Sequence, residues 1–300
     1  VGMTKVLVTG AGGFIGSWLT PELKTAGLDV VGINREHGDL SARDNPIAWW
    51  LDDEKPDIVV HLAAQVSRLL SEQDPRNTVM CNAVATTNIA TACAKRGIKL
   101  VYASTGDVYG NQGEKACDET VREFHPQNIY AMTKRWGEEV CRLYIKPENL
   151  LIIRINMSYG EGQSPGRRLA PVGIGRNALI NFLYQALHRL PMPVHIGGER
   201  SWCYISDIVR AMRMLIEQSQ TGTWNVGRDD DARSALDIAR LACDLTGAPH
   251  SLIQMVEPPA IQVVVKRLAM RKIRTTGWKP EVSLEEGMRK VMEWVMNLPG

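Results

Sequence analysis

No run of this chain reaches the roughly 18 consecutive apolar residues that a membrane-crossing helix needs, so no membrane partner is expected. Neither sign of charge dominates: 35 lysines and arginines stand against 33 acidic residues, a formal net charge of +2. That balance offers no basic surplus for a nucleic-acid partner. No Cys-x-x-Cys pair occurs among Cys81, Cys93, Cys117, Cys141, Cys203 and Cys243. Scattered thiols argue against a zinc site and for a reducing, cytoplasmic setting. There is no internal repeat, no low-complexity linker and no signal-peptide pattern, since Met3-Thr4-Lys5 leads directly into a strand. What remains is ordinary globular composition, 44% hydrophobic and 23% charged over 300 residues. It suffices for one large α/β domain or a domain with a smaller lobe.

The first half alternates short apolar runs with helical segments. Residues 4–9, 28–33, 57–62, 98–103 and 149–155 are near-continuous and apolar, as strands buried on both faces of a parallel sheet should be. Helices are predicted over 14–26, 42–51, 76–96 and 127–145. This alternation predicts an α/β fold of Rossmann type, a doubly wound parallel sheet. After Tyr159 the pattern changes, with a Gly-, Pro- and Arg-rich stretch over 160–175 and helices expected at 177–189, 207–218, 234–246 and 284–296. The expected division is a dinucleotide-binding domain over 1–160, with a return segment at about 200–226, and a substrate-binding lobe over 161–199 and 227–300.

Val6-Leu7-Val8-Thr9-Gly10-Ala11-Gly12-Gly13-Phe14-Ile15-Gly16 runs from strand through turn to helix. A Gly-x-Gly-x-x-Gly would need glycine where Ile15 stands, so the fitting pattern is Gly-x-x-Gly-x-x-Gly at Gly10, Gly13 and Gly16. Such glycines let the backbone approach a pyrophosphate at the N-terminus of the helix opened by Phe14 and Ile15. The next strand ends in Asn34-Arg35 rather than in an acid for the ribose 2′-hydroxyl. Asn34 cannot repel a 2′-phosphate and Arg35 can pair with one, which favours NADP(H) while leaving NAD(H) open. Asp39 and Leu40 are candidates for the adenine; Leu62, Ala63 and Ala64 follow the third strand beside the cofactor. His61 is read as a packed strand residue. Tyr130 and Lys134 stand four residues apart, one helical turn. A cation beside a phenol favours the phenolate, giving a group able to exchange protons with a sugar hydroxyl near neutral pH.

These motifs, with Ser104-Thr105-Gly106-Asp107-Val108-Tyr109-Gly110, Arg154-Ile155-Asn156, Arg200 to Asp207 and Gly277-Trp278-Lys279-Pro280, make the chain resemble the extended short-chain dehydrogenase/reductases that act on nucleotide sugars. The resemblance implies that Thr105 bonds the reacting sugar oxygen, that Tyr130 is the acid/base, and that Lys134 bonds the nicotinamide ribose and lowers the tyrosine pKa. It implies that Asn82 supports the cofactor loop, that Asn156 and Arg200 hold the diphosphate of a nucleotide-diphosphate sugar, and that helices 76–96 and 127–145 form a homodimer interface. Pro258 and Pro259 occupy the stretch where many relatives carry a nucleotide-binding arginine; Arg267 is a candidate substitute, and Arg168 a candidate to line the cleft. Ser206 and Ala269 replace acids or histidines common in the family.

Related dehydratases place an acid/base pair after the threonine, where this chain has Gly106 and Asp107. Asp107 is therefore either a lone base or a turn cap. The expected reaction is hydride transfer at sugar C4, with a 4-keto-6-deoxy nucleotide-sugar reductase first, a C4-epimerase next and a 4,6-dehydratase after it. A non-catalytic NAD(P) sensor is the remote alternative.

Overall fold

The computed structural model describes residues 2–113, 115–163, 177–257 and 267–297. The chain runs β1 (Lys5–Thr9), α1 (Phe14–Thr25), β2 (Asp29–Ile33), α2 (Ile47–Glu54) and β3 (Ile58–His61). Next come α3 (Arg68–Gln73), α4 (Pro75–Val79), α5 (Ala85–Arg96), β4 (Lys99–Thr105), α6 (Ile129–Tyr144) and β5 (Leu150–Ile155). The second half holds β6 (Ser158–Tyr159), α7 (Ala178–Leu187), β7 (Met192–His195), β8 (Glu199–Ser201), β9 (Cys203–Tyr204), α8 (Ile205–Glu217) and β10 (Gly222–Val226). It ends with β11 (Ala232–Ser234), α9 (Ala235–Thr246), β12 (Ile253–Val256), α10 (Arg271–Arg274) and α11 (Leu284–Met296).

The strands β2, β1, β3, β4, β5 and β10 lie side by side in that order, all parallel. The chain winds outward from β1 to β2, then crosses back to β3. Such sheets bind ligands outside the strands' carboxyl ends where the winding reverses. Side chains alternate between faces along each strand. Leu7, Val59, Leu100, Tyr102 and Ile152 meet Ile89 and Val140 from α5 and α6. Val6, Val8, Val60, Val101 and Ile153 join Leu19 and Leu23 of α1 and Met212 of α8 in the other core. Smaller two-stranded sheets, β6 with β9, β7 with β12 and β8 with β11, accompany α7, α9 and α11 in the second half.

Two helices depart from the sequence reading. Helix α2 begins at Ile47 rather than Ala42, because Asp39 Oδ1 accepts from Ser41 N (2.8 Å) and Oγ (2.7 Å) and Asn45 Oδ1 accepts from Ile47 N (3.3 Å). Short polar side chains there bond the backbone in place of a helix. The segment 76–96 is not one uniform helix: a π-helical turn, Met80–Val84, joins α4 to α5.

Helix α6 is held to the sheet by a buried charge network. Asn128 caps its start, accepting from Ala131 N at 2.8 Å. Gly137 allows the close approach, since a Cβ there would lie 2.7 Å from the Tyr102 ring. Glu138, wholly buried, accepts from Ser104 Oγ (2.6 Å) and from Arg154 Nε (2.9 Å) and Nη2 (2.7 Å). Arg135 and Arg142 reach the same carboxylate at 3.1 and 3.0 Å. Burial alone would raise this carboxyl group, but Arg154, with Ser104 and Arg142, outweighs it and holds the group below the usual carboxylate range. Arg154 Nη1 donates onward to the Tyr109 hydroxyl (2.8 Å), which donates to Asn225 Oδ1 on β10 (2.9 Å).

The motif pair at Ser206-Asp207 and Gly277-Trp278 closes a second clasp. Buried Asp207 accepts from the backbone N–H of Glu281 (3.0 Å) and Val282 (3.1 Å), and its carbonyl accepts from Trp278 Nε1 (3.0 Å). Both motifs therefore have a structural use.

Replacing Arg154 by leucine leaves the Glu138 carboxylate buried without its bidentate partner. The expected loss is about 3 kcal/mol, the usual cost of breaking one side of a buried pair, read as a lower urea midpoint. Arg154→Leu combined with Glu138→Gln should recover part of it; an additive double variant would sink this account of the network.

Candidate active site at the switch point

The turn after β1 is built for close approach. Gly10 has φ +72, a backbone region few side chains tolerate, and a Cβ there would lie 2.8 Å from Ala63 N. A Cβ at Gly16 would collide with the Gly10 carbonyl oxygen. Gly13, at the N-cap of α1, brings no capping side chain, so the helix's positive end stays available to an anion. The turn is pinned from β2, where Asn34 Oδ1 accepts from Gly12 N at 2.6 Å. A pyrophosphate fits this turn: side chains at Gly10 or Gly16 would meet the backbone of Ala63 or of Gly10 and Ala11 and force the turn open.

The structure places the other cofactor candidates as follows. Asn34 also donates through Nδ2 to Glu36 Oε1 (3.3 Å), and Arg35 stands exposed in the short 3-10 turn Arg35–His37. An acid thus shares the rim with the arginine, which the sequence reading did not weigh. Asp39 is engaged by Ser41, and the Leu40 carbonyl accepts from Asn88 Nδ2 (2.8 Å). Asp39 shapes its own turn, and Asn88 ties the loop to α5. Leu62 N and Ala63 N donate to Thr9 O (3.1 Å) and Oγ1 (3.3 Å), which sets Leu62 and Ala63 against Gly10, with Ala64 next in the chain. Asn82, in the π turn, grips Gln65 of the following loop: Oδ1 accepts from Gln65 N (2.7 Å) and Nδ2 donates to Gln65 O (2.9 Å) and Thr133 Oγ1 (3.1 Å).

His61 is a structural residue, bonded between Thr9 Oγ1 (2.8 Å) and Thr86 Oγ1 (3.0 Å). Burial, with the Lys134 charge behind it, pulls its imidazole down to about 3, so the ring is neutral in the fold.

At the carboxyl end of β4, Thr105 Oγ1 accepts from Asp107 N (3.2 Å) and stands beside the Tyr130 hydroxyl, where it favours the phenolate. Lys134, buried, donates from Nζ to the Ala103 carbonyl (2.8 Å) and lies 4.9 Å from the centre of the Tyr102 ring. Burial lowers this ammonium to about 8. The phenol behaves opposite to expectation. Burial and then the Asp107 carboxylate raise Tyr130 well above the ordinary tyrosine value, against smaller lowering by Thr105 and Arg68. The chain's own groups therefore keep Tyr130 protonated, and the expected lowering by Lys134 is not what sets it. The Asp107 carboxylate is paired: both its oxygens receive Arg68, Nε at 3.0 Å and Nη2 at 3.1 Å.

Asn156 follows β5 beside these groups. It is 1% exposed, and neither polar atom of its side chain has a hydrogen-bond partner among the described residues. A buried amide without partners costs free energy unless something satisfies it, so it fits a polar ligand. Arg200, on β8, lies close enough to Arg68 and Asp107 to feel both charges; burial, then Arg68, lowers it. Arg267 pairs with Glu199 at 3.1 Å, and Arg274 and Arg271 pair with Asp229 and Asp118. These three arginines thus sit in separate ion pairs. Arg168, with Pro258 and Pro259, lies outside the described residues.

Sequence reasoning missed Arg68 and Glu138. A signal existed for the second: Tyr130, Lys134 and Glu138 recur every four residues, one helix face. Nothing local marks Arg68, whose partner lies 39 residues away.

Glycine cradle, buried lysine and tyrosine–threonine pair together define an enzyme that uses a nicotinamide dinucleotide. The family model described as the NAD dependent epimerase/dehydratase family matches residues 6–227, and the chain belongs to that family. It is 27% identical over 328 residues to the trifunctional UDP-glucose 4,6-dehydratase/UDP-4-keto-6-deoxy-D-glucose 3,5-epimerase/UDP-4-keto-L-rhamnose-reductase of Arabidopsis thaliana, covering 98% of this chain but only 47% of that protein. It is 28% identical over 317 residues to a GDP-6-deoxy-D-mannose reductase of Pseudomonas aeruginosa, covering 97% of each. The crystal structure of a UDP-glucose 4-epimerase of Thermus thermophilus in complex with NAD superposes with a TM-score of 0.87 at 25% identity, covering 99% of this chain and 100% of that one. Reductases, epimerases and dehydratases of nucleotide sugars all stand among these relatives.

The neutral state of His61 predicts acid lability. Its folded pKa lies below the unfolded value of about 6.5, so between those values only the unfolded chain takes the proton. Stability falls as pH drops through that window. Wild type should lose about 2–3 kcal/mol more than His61→Gln between pH 7 and pH 4.5 in urea titrations; parallel losses would contradict a buried neutral ring.

Proposed function

We propose that this enzyme reduces the 4-keto group of a nucleotide-diphosphate 6-deoxysugar. The observation that carries the reading is Tyr130 beside Thr105 at the end of β4, with no second acid/base pair next to them among the described residues: Gly106 has no side chain and Asp107 is engaged by Arg68. When bound, a reduced nicotinamide supplies hydride to the carbonyl carbon. The C=O π bond opens, and the oxygen takes the proton of the Tyr130 hydroxyl. Thr105 holds that oxygen toward the phenol. The Lys134 ammonium, one helical turn away, offsets the charge of the phenolate as it forms and is placed to bond a ribose hydroxyl. Arg200 and Asn156 receive the diphosphate end, where a guanidinium suits a phosphate geometrically. Elimination of water from C5 and C6 needs an additional acid and base, for which this site is poorly furnished.

A C4-epimerase is the second reading, favoured by Glu36 beside Asn34. An acid at this rim suits the ribose 2′-hydroxyl of NAD, whereas exposed Arg35 suits the 2′-phosphate of NADP(H). NADP(H) is the proposed preference. A cytoplasmic homodimer is part of the same proposal. Met132, Trp136 and Leu143 on α6, with Val79 and Met80 on the neighbouring helix, are large apolar side chains exposed to between 36% and 75%. Trp136→Glu should convert the dimer to monomer in sedimentation runs; an unchanged mass would place the interface elsewhere.

Two measurements test the reaction. A thermal-shift panel of NADPH and NADH, each with UDP-, GDP- and dTDP-sugars, identifies cofactor and nucleotide by specific stabilisation; NADPH should stabilise most, whereas protein purified with bound NAD would favour the epimerase. Tyr130→Phe should keep the cofactor shift and lose about 10²–10⁴-fold in turnover of a 4-keto sugar. Undiminished turnover would end the proposal.

A further inference from the structure

Arg68 has no counterpart in the chemistry just described, yet it faces the reacting end of the site. It opens α3, in the loop that leaves β3, and its side chain is 36% exposed while that of Asp107 is 5% exposed. The loop is fixed at several points. Asn82 grips Gln65, whose Oε1 accepts from Ser67 N. Ser71 Oγ donates to the Arg68 carbonyl (2.6 Å), and Glu72 Oε1 accepts from Ile129 N (3.0 Å) at the start of α6. The guanidinium is therefore aimed by anchored backbone, and it meets the carboxylate edge-on with two parallel N–H donors. From Asp107 the connection continues: its N–H donates to Thr105 Oγ1, and Thr105 stands beside the Tyr130 hydroxyl, where it favours the phenolate.

We propose that Arg68 is a positioning residue for the proton-transferring tyrosine: by holding both Asp107 oxygens it fixes the 105–107 turn against the Tyr130 hydroxyl and screens that hydroxyl from the carboxylate. The proposal rests on the reading of Tyr130 as proton donor and deepens it. The charged and titratable groups around the phenol are Asp107 beyond β4, Tyr102 on β4, Arg68 on α3 and Lys134 one turn along α6, with Arg200 on β8 acting on the Arg68–Asp107 pair. Of these, Asp107 strengthens the phenol's hold on its proton and Arg68 weakens it. A donor that holds its proton too tightly is a poor general acid, so an unscreened Asp107 would slow protonation of the sugar oxygen. The same bidentate pairing commits the Asp107 carboxylate to the protein, away from service as a base toward a sugar carbon.

The test needs no substrate. 3,5-Difluorotyrosine installed at position 130 of the full chain brings the phenol's ionisation into an accessible pH range, and its 19F resonance reports the titration. Arg68→Met should move the midpoint up by about one pH unit, Arg68→Lys should restore part of it, and Asp107→Asn should move it down. An unchanged midpoint in both Arg68→Met and Asp107→Asn, or a downward shift in Arg68→Met, overturns the proposal. Should Arg68→Met fail to fold, the opposite shifts expected of Asp107→Asn and of Arg68→Lys decide it. Because the titration reports the phenol and not turnover, it is separable from the fate of the reductase reading, which the Tyr130→Phe kinetics settle.

Discussion

The Glu138 carboxylate can be buried only where its guanidinium and hydroxyl partners converge, and that requirement fixes α6 against the sheet. A charge taken out of water needs compensation from close partners. Arg154 on β5 and Ser104 on β4 supply it from two adjacent strands, so a slide of α6 by one turn, about 5.4 Å, would strand the charge. Tyr130 and Lys134 lie two turns and one turn before Glu138 on the same face. Their placement at the ends of β4 and β5 follows from the ion pair. The network then runs through Tyr109 to Asn225 on β10, so the positions of the chemistry and of the outer strand are set together.

Elements whose burial is uniform were legible from the sequence. The five apolar runs suited a sheet covered on both faces, and each of those five strands was found within two residues of its predicted ends. Where the reading slipped, short polar side chains or a backbone irregularity decided the outcome. Asp39, Ser41 and Asn45 spend their bonding on local turns and delay α2. The π turn at Met80–Val84 keeps an overall helical period, so hydrophobic spacing cannot register it. Yet this turn places Asn82 where it can grip the Gln65 backbone.

The site divides along the same line. The glycine turn and the tyrosine–lysine spacing are local patterns whose physical demand is written in short stretches of chain. Arg68 and Asp107 meet because β3 and β4 are neighbours and the loops beyond them converge, which no local window contains. The state of the phenol was misread for a related reason. Proximity of Lys134 in the sequence suggested a phenolate, but burial with Asp107 governs the tyrosine.

Several groups here are held at a cost to stability. Lys134 is an ammonium buried deeply enough to fall toward neutrality, and Asn156 keeps a buried amide without partners among the described residues. A core chosen for stability alone would place apolar side chains at both positions. Glu138 and Arg154, equally buried, are by contrast fully paired. The difference separates two uses of polarity: satisfied charge aligns the helix, and unsatisfied polarity next to it is reserved for a ligand. Asn156 lies just beyond the carboxyl end of β5, and Lys134 reaches the Ala103 carbonyl on β4. The free energy withheld from folding there is available to bind a polar substrate and hold it at the phenol.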